Sequence, residues 1–346
     1  MGILLLCIPL LTSCNNEWED EQYEQYVSFK APLDTEGSSV GVTTIHVPYT
    51  RIDESGNPRY GAAGVSSYEL PVIVSGSTHN NRNLTVHIAH DPDTLDILNY
   101  ERFNYRKELY YNDMNAYATY EPTLEIRKGD DITLFHIGLD FRGIDLADKW
   151  VLPLTIEDKD ASGNSYGYER NPRKNYAKAM LRILPYTDYS GQYIATNLKF
   201  YIQSGGVTDA EPGSMSSVQL YAVDEQTCFF YAGTFNESSL DRRSYKVFAK
   251  FTPTPANPRR GTVTLTSDNP EIGLIQHKEA TFTILEQFDE VQTYILRRTV
   301  VINDLDYTFT DYTSARGSRV DYLVQGTMTM ERRLNTQMPE EDQIIW

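Results

Sequence analysis

The chain has 346 residues, 40% hydrophobic and 23% charged, which is enough apolar side chain for two cores and too much for extended disorder. Its formal charge of −17, from 48 acidic against 31 basic residues, excludes a nucleic-acid binder and a protein held to anionic headgroups by charge. Tyrosine dominates the aromatics, with 25 Tyr against 13 Phe and 3 Trp, a bias toward rings that pack in sheets while keeping a hydroxyl for a wet surface.

Residues Gly2 to Leu11 form an apolar run of signal-peptide length, far short of the roughly 18 to 20 residues that span a bilayer. It ends in Leu11-Thr12-Ser13-Cys14, which resembles a bacterial lipobox. Residues 1–13 are therefore expected to be a lipoprotein signal peptide and Cys14 the lipidated residue. Residues 14–25 are acidic and polar and read as a tether. Acidic residues directly after the cysteine resemble the signal that sends Bacteroidota lipoproteins to the outer face of the outer membrane, so a lipid-anchored, outward-facing location is expected.

From residue 26 onward apolar residues recur at period two between short turn segments, the pattern of an all-β chain. His87 and His90 lie three apart on a predicted strand from Leu84 to Ala89, so they point to opposite faces and are not expected to share a metal. The segment from Asp93 to Leu109 can carry a short helix. It leads into the densest aromatic cluster, where Tyr105, Tyr110, Tyr111 and Tyr117 stand among Asn112 and Asp113. Sugar rings present apolar C–H faces and hydroxyls, so flat rings beside amides and carboxylates are the expected glycan-binding residues. Asp140 to Asp148 resembles the acidic strand motif of family-18 glycoside hydrolases. The closing glutamate is absent and the chain has no βα repeats to build that barrel, so no catalytic residue is assigned.

In the run 177–183 the odd positions Ala177, Ala179, Leu181 and Ile183 are expected to face a core, with Lys178 and Arg182 facing water. Pro185 stops that strand and Ser190-Gly191 opens another, dividing residues 26–185 from 186–346. Tyr186 and Tyr189 at this junction form a second candidate site, because clefts between domains often hold ligands. Cys228 lies in the apolar run Cys228-Phe229-Phe230-Tyr231 and is expected to be a buried, inert thiol. Gly326, inside the alternating series Val320, Tyr322, Val324, Met328 and Met330, marks a bulge or a close backbone approach. The expected fold is an N-terminal immunoglobulin-like β-sandwich followed by a C-terminal antiparallel β-barrel-like domain, whose closure removes exposed strand edges.

The stretches Asp306 to Ser314, Gly326 to Arg332 and Pro339 to Gln343, with the terminal Trp346, resemble a family of Bacteroidota outer-membrane lipoproteins. Tyr221 to Asp224 with Phe229 to Gly233 is similar to the C-terminal domain of that family, and Ile126 to Asp130 and Trp150 to Leu154 to its N-terminal domain. Both domains of the family were catalogued as domains of unknown function. The resemblance implies a non-catalytic surface lipoprotein that binds glycan for a polysaccharide-utilisation system, beside a TonB-dependent transporter and its partner lipoprotein, without cofactor or metal. The alternative is a structural or adhesive component of an outer-membrane complex that touches no sugar.

Overall fold

A computed structural model describes residues 23–30, 41–204, 207–209, 211–314, 317–338 and 342–345. Cys14, the tether as far as Gln22, the segment Pro339-Glu340-Glu341 and Trp346 lie outside the described residues. The chain is all-β, as the alternation requires: an immunoglobulin-like sandwich is followed by a closed antiparallel barrel.

One sandwich sheet is centred on the strands Val65–Val74 and Ile132–Asp140, with Tyr26–Phe29 and Glu169–Arg170 beyond the first and Ala118–Thr119 beyond the second. The other runs Val42–Pro48, Lys178–Tyr186, Lys149–Glu157, Leu84–His90 and Thr123–Ile126. Leu70, Val72, Phe135, Ile137 and Leu139 of the first sheet face Val86, Ile88, Leu154, Leu181 and Ile183 of the second, all buried in one core. These positions are two apart on their strands, which is how alternation becomes a buried face.

The predicted helix is present as Pro92–Phe103, followed by a short 3-10 turn at Lys107–Leu109. Asp91 caps it by accepting from the Thr94 amide at 3.2 Å, and Pro92 opens it where no donor is needed. Asn104 ends it with a positive φ of 52°. The helix covers the outer face of the second sheet, burying Leu95 against Val151, Met180 and Tyr111.

After Tyr186 the chain needs only residues 187–190 to enter the barrel at Gly191. The barrel strands are Gly191–Ile194, Ser217–Ala222, Thr227–Tyr231, Lys246–Thr254, Asn257–Thr266, Ala280–Phe288, Ile295–Asp311 and Val320–Asn335, and the last pairs with the first through Ile194 and Thr329. Its interior is filled by Tyr193, Phe230, Phe251, Phe282, Tyr307 and Met328, each at most 2% exposed, so it is a packed core and not a channel. Gly326 fulfils its expectation. Its φ is +141°, a Cβ there would lie 2.0 Å from the Asn197 carbonyl oxygen, and the opposite strand bulges between Ile302 and Leu305.

The run Cys228 to Tyr231 in the strand Thr227–Tyr231 is apolar because both of its faces are covered. Cys228 and Phe230 enter the barrel core, while Phe229 and Tyr231 pack with Leu146 and Ala147 of the sandwich. Arg242, 1% exposed, reaches across to donate from Nε to the Ala147 carbonyl at 2.9 Å, and Lys246 Nζ lies 3.0 Å from the Asp145 carboxylate. The two domains are joined by an apolar seam with polar clamps at its edges.

Candidate functional site

The first sequence-predicted cluster is divided by its fold. Tyr111 is 6% exposed beneath the helix, where Asn99 bonds its backbone on both sides and Arg102 donates to its hydroxyl at 2.6 Å. It is a core residue and not a stacking platform, because the strand Tyr111–Asp113 pairs with Lys149–Glu157 and turns that ring inward. Tyr117 lies half-buried against Trp150 with ring centroids 5.2 Å apart, and Asn112 sits opposite Trp150 in the register. Asp113 is occupied by His90 at 2.6 Å. His87 stacks instead on Tyr166, 3.6 Å between centroids, so the two histidines part as their spacing requires.

Tyr105, 83% exposed, remains outside and meets Tyr100 edge to face at 6.2 Å. Tyr110, half-buried, donates to the Asn104 carbonyl. At the junction, Tyr189 is 6% exposed and stacks on Phe251 at 4.2 Å, plugging the barrel core, which corrects its assignment as a binding residue. Tyr186 carries the Arg332 guanidinium over its ring at 5.5 Å. Arg332 also donates to the Thr187 carbonyl at 2.6 Å and to that of Ser190, which fixes the short connection.

The junction does hold a cleft, built from other residues. A cavity of about 590 Å³ opens between the outer face of the strand Lys178–Tyr186 and the barrel strands Gly191–Ile194 and Ser217–Ala222. The alternation of its strand predicts a water-facing Arg182. It faces this cleft, with its side chain 16% exposed, and forks onto Glu237 at 2.6 and 3.3 Å. Tyr221 donates to the same carboxylate at 3.2 Å. Gln192 and Gln219 are cross-strand neighbours on the wall, and Gln192 donates to Ser217 at 3.2 Å. The other wall is the turn from Gly233 to Glu237. Gly233 has a φ of +55° and a Cβ there would lie 2.6 Å from the Phe309 ring, so the turn needs glycine. Phe235, half-buried, is stacked on Tyr245 at 3.6 Å and 7°, which holds it in place as part of the lining.

Burial pushes the Glu237 carboxyl up, but Arg182 and Lys149 outweigh it and hold the group below the usual carboxylate range. The pair is therefore ionised at neutral pH. Burial, then Arg182 and Arg332, pushes His46 on the neighbouring strand down to about 4, so it adds no charge there. Arg182 Nε is buried with no hydrogen-bond partner among the described residues. The cleft thus offers amides, hydroxyls and one balanced ion pair around an aromatic and aliphatic lining that includes Phe235, Leu184 and Met215. That is the chemistry of a polyol site: ring hydroxyls find donors and acceptors, and their apolar faces find flat carbon. Sequence reasoning missed it because its residues come from four separated segments and none forms a motif.

Residues 18–160 match the family described as a domain of unknown function, DUF4973, and residues 177–329 match a C-terminal domain family. Among solved structures, the chain is similar to an auxiliary nutrient binding protein from Bacteroides thetaiotaomicron, with 43% identity and a TM-score of 0.82 over 94% of this chain and 100% of that one. A multidomain protein including DUF1735 from Bacteroides ovatus is 37% identical, with a TM-score of 0.77 over 93% of this chain and 100% of that one. A protein of unknown function from Bacteroides ovatus is 30% identical, with a TM-score of 0.75 over 95% of this chain and 97% of that one. No curated protein matches the chain.

Proposed function

Because the chain belongs to the family of two-domain Bacteroides proteins that includes this auxiliary nutrient binding protein, we propose that it captures a nutrient glycan, without cleaving it, in the cleft between its domains. The observation that carries this reading is the cleft itself: about 590 Å³, within the range of small-ligand sites, with the amides of Gln192, Gln219 and Asn236 around the Arg182–Glu237 pair. Glycoside hydrolysis in most families uses two carboxyl groups flanking the bond, and the described lining has one, Glu237, already held by Arg182. This supports a binding role.

The test is retardation of the protein in native gels containing plant, host or fungal polysaccharides. Wild-type protein should be retarded by at least one, without release of reducing sugar, and Gln219→Trp, which places an indole in the cleft from an exposed position, should be retarded clearly less than wild type. Failure of the wild type on every polysaccharide refutes the reading. We further propose that Cys14 carries a lipid anchor that holds the protein on the outer face of the outer membrane; Cys14→Ala should leave the membrane fraction, and unchanged detergent partitioning refutes the anchor. A second reading, a component that docks onto a transporter or its partner lipoprotein, is favoured by Phe288 and Val291, 56% and 89% exposed near one barrel hairpin tip. Crosslinking from position 291 to an outer-membrane partner supports it.

A further inference from the structure

The outer face of the sandwich carries a second, independent concavity. The strand Ile132–Asp140 turns Phe135, Ile137 and Leu139 into the core, so Leu134, His136, Gly138 and Asp140 form its outward row. At Gly138 that row has no side chain, and its cross-strand partner is Ser67, so two of the smallest residues meet in one register. Tyr60 stands over Ser67, donating to its Oγ at 2.8 Å, with the residue 40% exposed. Thr119 of the edge strand, opposite Gly138 on the other side, forms the facing wall.

Two adjoining cavities of about 490 and 330 Å³ result, sharing Thr119, His136 and Gly138. The row from Leu134 to Asp140 is about 20 Å long at roughly 3.3 Å per residue. That suits an extended chain better than a compact metabolite. Along the groove, flat rings come from Tyr60 and Tyr120, while polar groups come as pairs: His136 lies 2.6 Å from Glu69, and Arg142 forks onto Asp140 at 2.6 and 2.8 Å. Arg142, the guanidinium in the lining, has its own carboxylate, and beside these pairs Glu121 adds a further acid, so the groove offers hydroxyl partners without the net positive charge a polyanion requires. The loop carrying Tyr60 is braced before any ligand arrives, because Asp53 accepts from the amides of Ser55 and Asn57 at 2.8 and 3.0 Å and Arg51 Nε donates to the Ser67 carbonyl at 3.0 Å. Such bracing lowers the entropic cost of binding.

We propose that this groove is a second saccharide-binding site that holds an extended run of an uncharged glycan, separately from the interdomain cleft. It rests on the glycan-binding reading and adds a second point of attachment for one polymer. Linked sites raise polymer affinity well beyond either site alone.

The test fills the groove from below. A Cβ at Gly138 would lie 3.5 Å from the Thr119 carbonyl oxygen and 3.8 Å from Thr119 Cβ, ordinary contacts, so Gly138→Leu keeps the sheet and occupies the floor. Tyr60→Ala removes only the ring above and keeps the test valid if the first variant melts lower. Affinity gels with xylan, mannan and laminarin, and pectin as the anionic comparison, are run on both variants and on Gln219→Trp. Retention on an uncharged polymer should fall at least tenfold in Gly138→Leu and Tyr60→Ala and persist, weakened, in Gln219→Trp. Wild-type retention in both groove variants, with loss in Gln219→Trp, overturns the groove and leaves the cleft standing. Preference for pectin overturns the uncharged specificity, and no retention of wild type on any polymer overturns both sites.

Discussion

The Arg182–Glu237 pair ties a sandwich strand to a barrel turn at the cleft, and its strength can be measured with Glu237→Gln, Arg182→Met and the double variant. Removing one partner of a fully buried pair costs about 3–5 kcal/mol, whereas exposed pairs contribute about 0–1 kcal/mol. With Arg182 16% and Glu237 36% exposed, Glu237→Gln should cost about 2 kcal/mol, since a neutral amide leaves a mostly buried guanidinium without its counter-charge. The double variant should recover about 1 kcal/mol of the summed single losses, because removing both charges also removes the desolvation cost.

The assay is urea unfolding followed by Trp150 fluorescence, since Trp150 Nε1 donates to the Asp145 carbonyl beside the domain seam, with circular dichroism as a second probe. The pH dependence has a definite sign. Glu237 is depressed in the folded protein, so its contribution is present above its ordinary value of 4.5 and disappears as pH falls through its lower folded value. The gap between wild type and Glu237→Gln should therefore close in acid. His46, pushed down to about 4, also lowers stability as pH drops from 6.5, but it does so in both proteins and largely cancels. A gap that stays constant from pH 7 to pH 3, or strictly additive variants, would refute the reasoning.

Gly326→Ala should cost more than about 3 kcal/mol, because its φ of +141° disfavours any Cβ and that atom would collide with the Asn197 carbonyl; an unchanged denaturation midpoint would sink this. Tyr111→Ala should lose about 3–4 kcal/mol as a buried ring is removed, while Tyr105→Ala should change stability by less than about 0.5 kcal/mol. Urea midpoints of the two variants separate core ring from surface ring. Burial pushes the Cys228 thiol up to about 12, so in a chain starting at Asn15 it should resist alkylation at pH 8 until urea unfolds the barrel, and rapid labelling of the native protein would contradict its burial.

The alternation of apolar and polar residues was enough to determine the all-β class, and it identified inward rows such as Ala179, Leu181 and Ile183. Gly326 announced a close approach because only a residue without a Cβ serves there. Period two separates the two faces of a strand, but it does not say what covers the second face. Arg182 alternates like a solvated residue, yet the barrel comes to lie over it. Tyr111 sits in a polar stretch, yet a helix folds across it, and Tyr189 follows a turn proline yet plugs the barrel. The cleft draws on residues near 182, 192, 219 and 235, which become neighbours only when the barrel closes and docks on the sandwich. Local sequence therefore fixed each strand's pleat and its bulge, while long-range closure and domain docking decided which side chains meet and which rings remain in water.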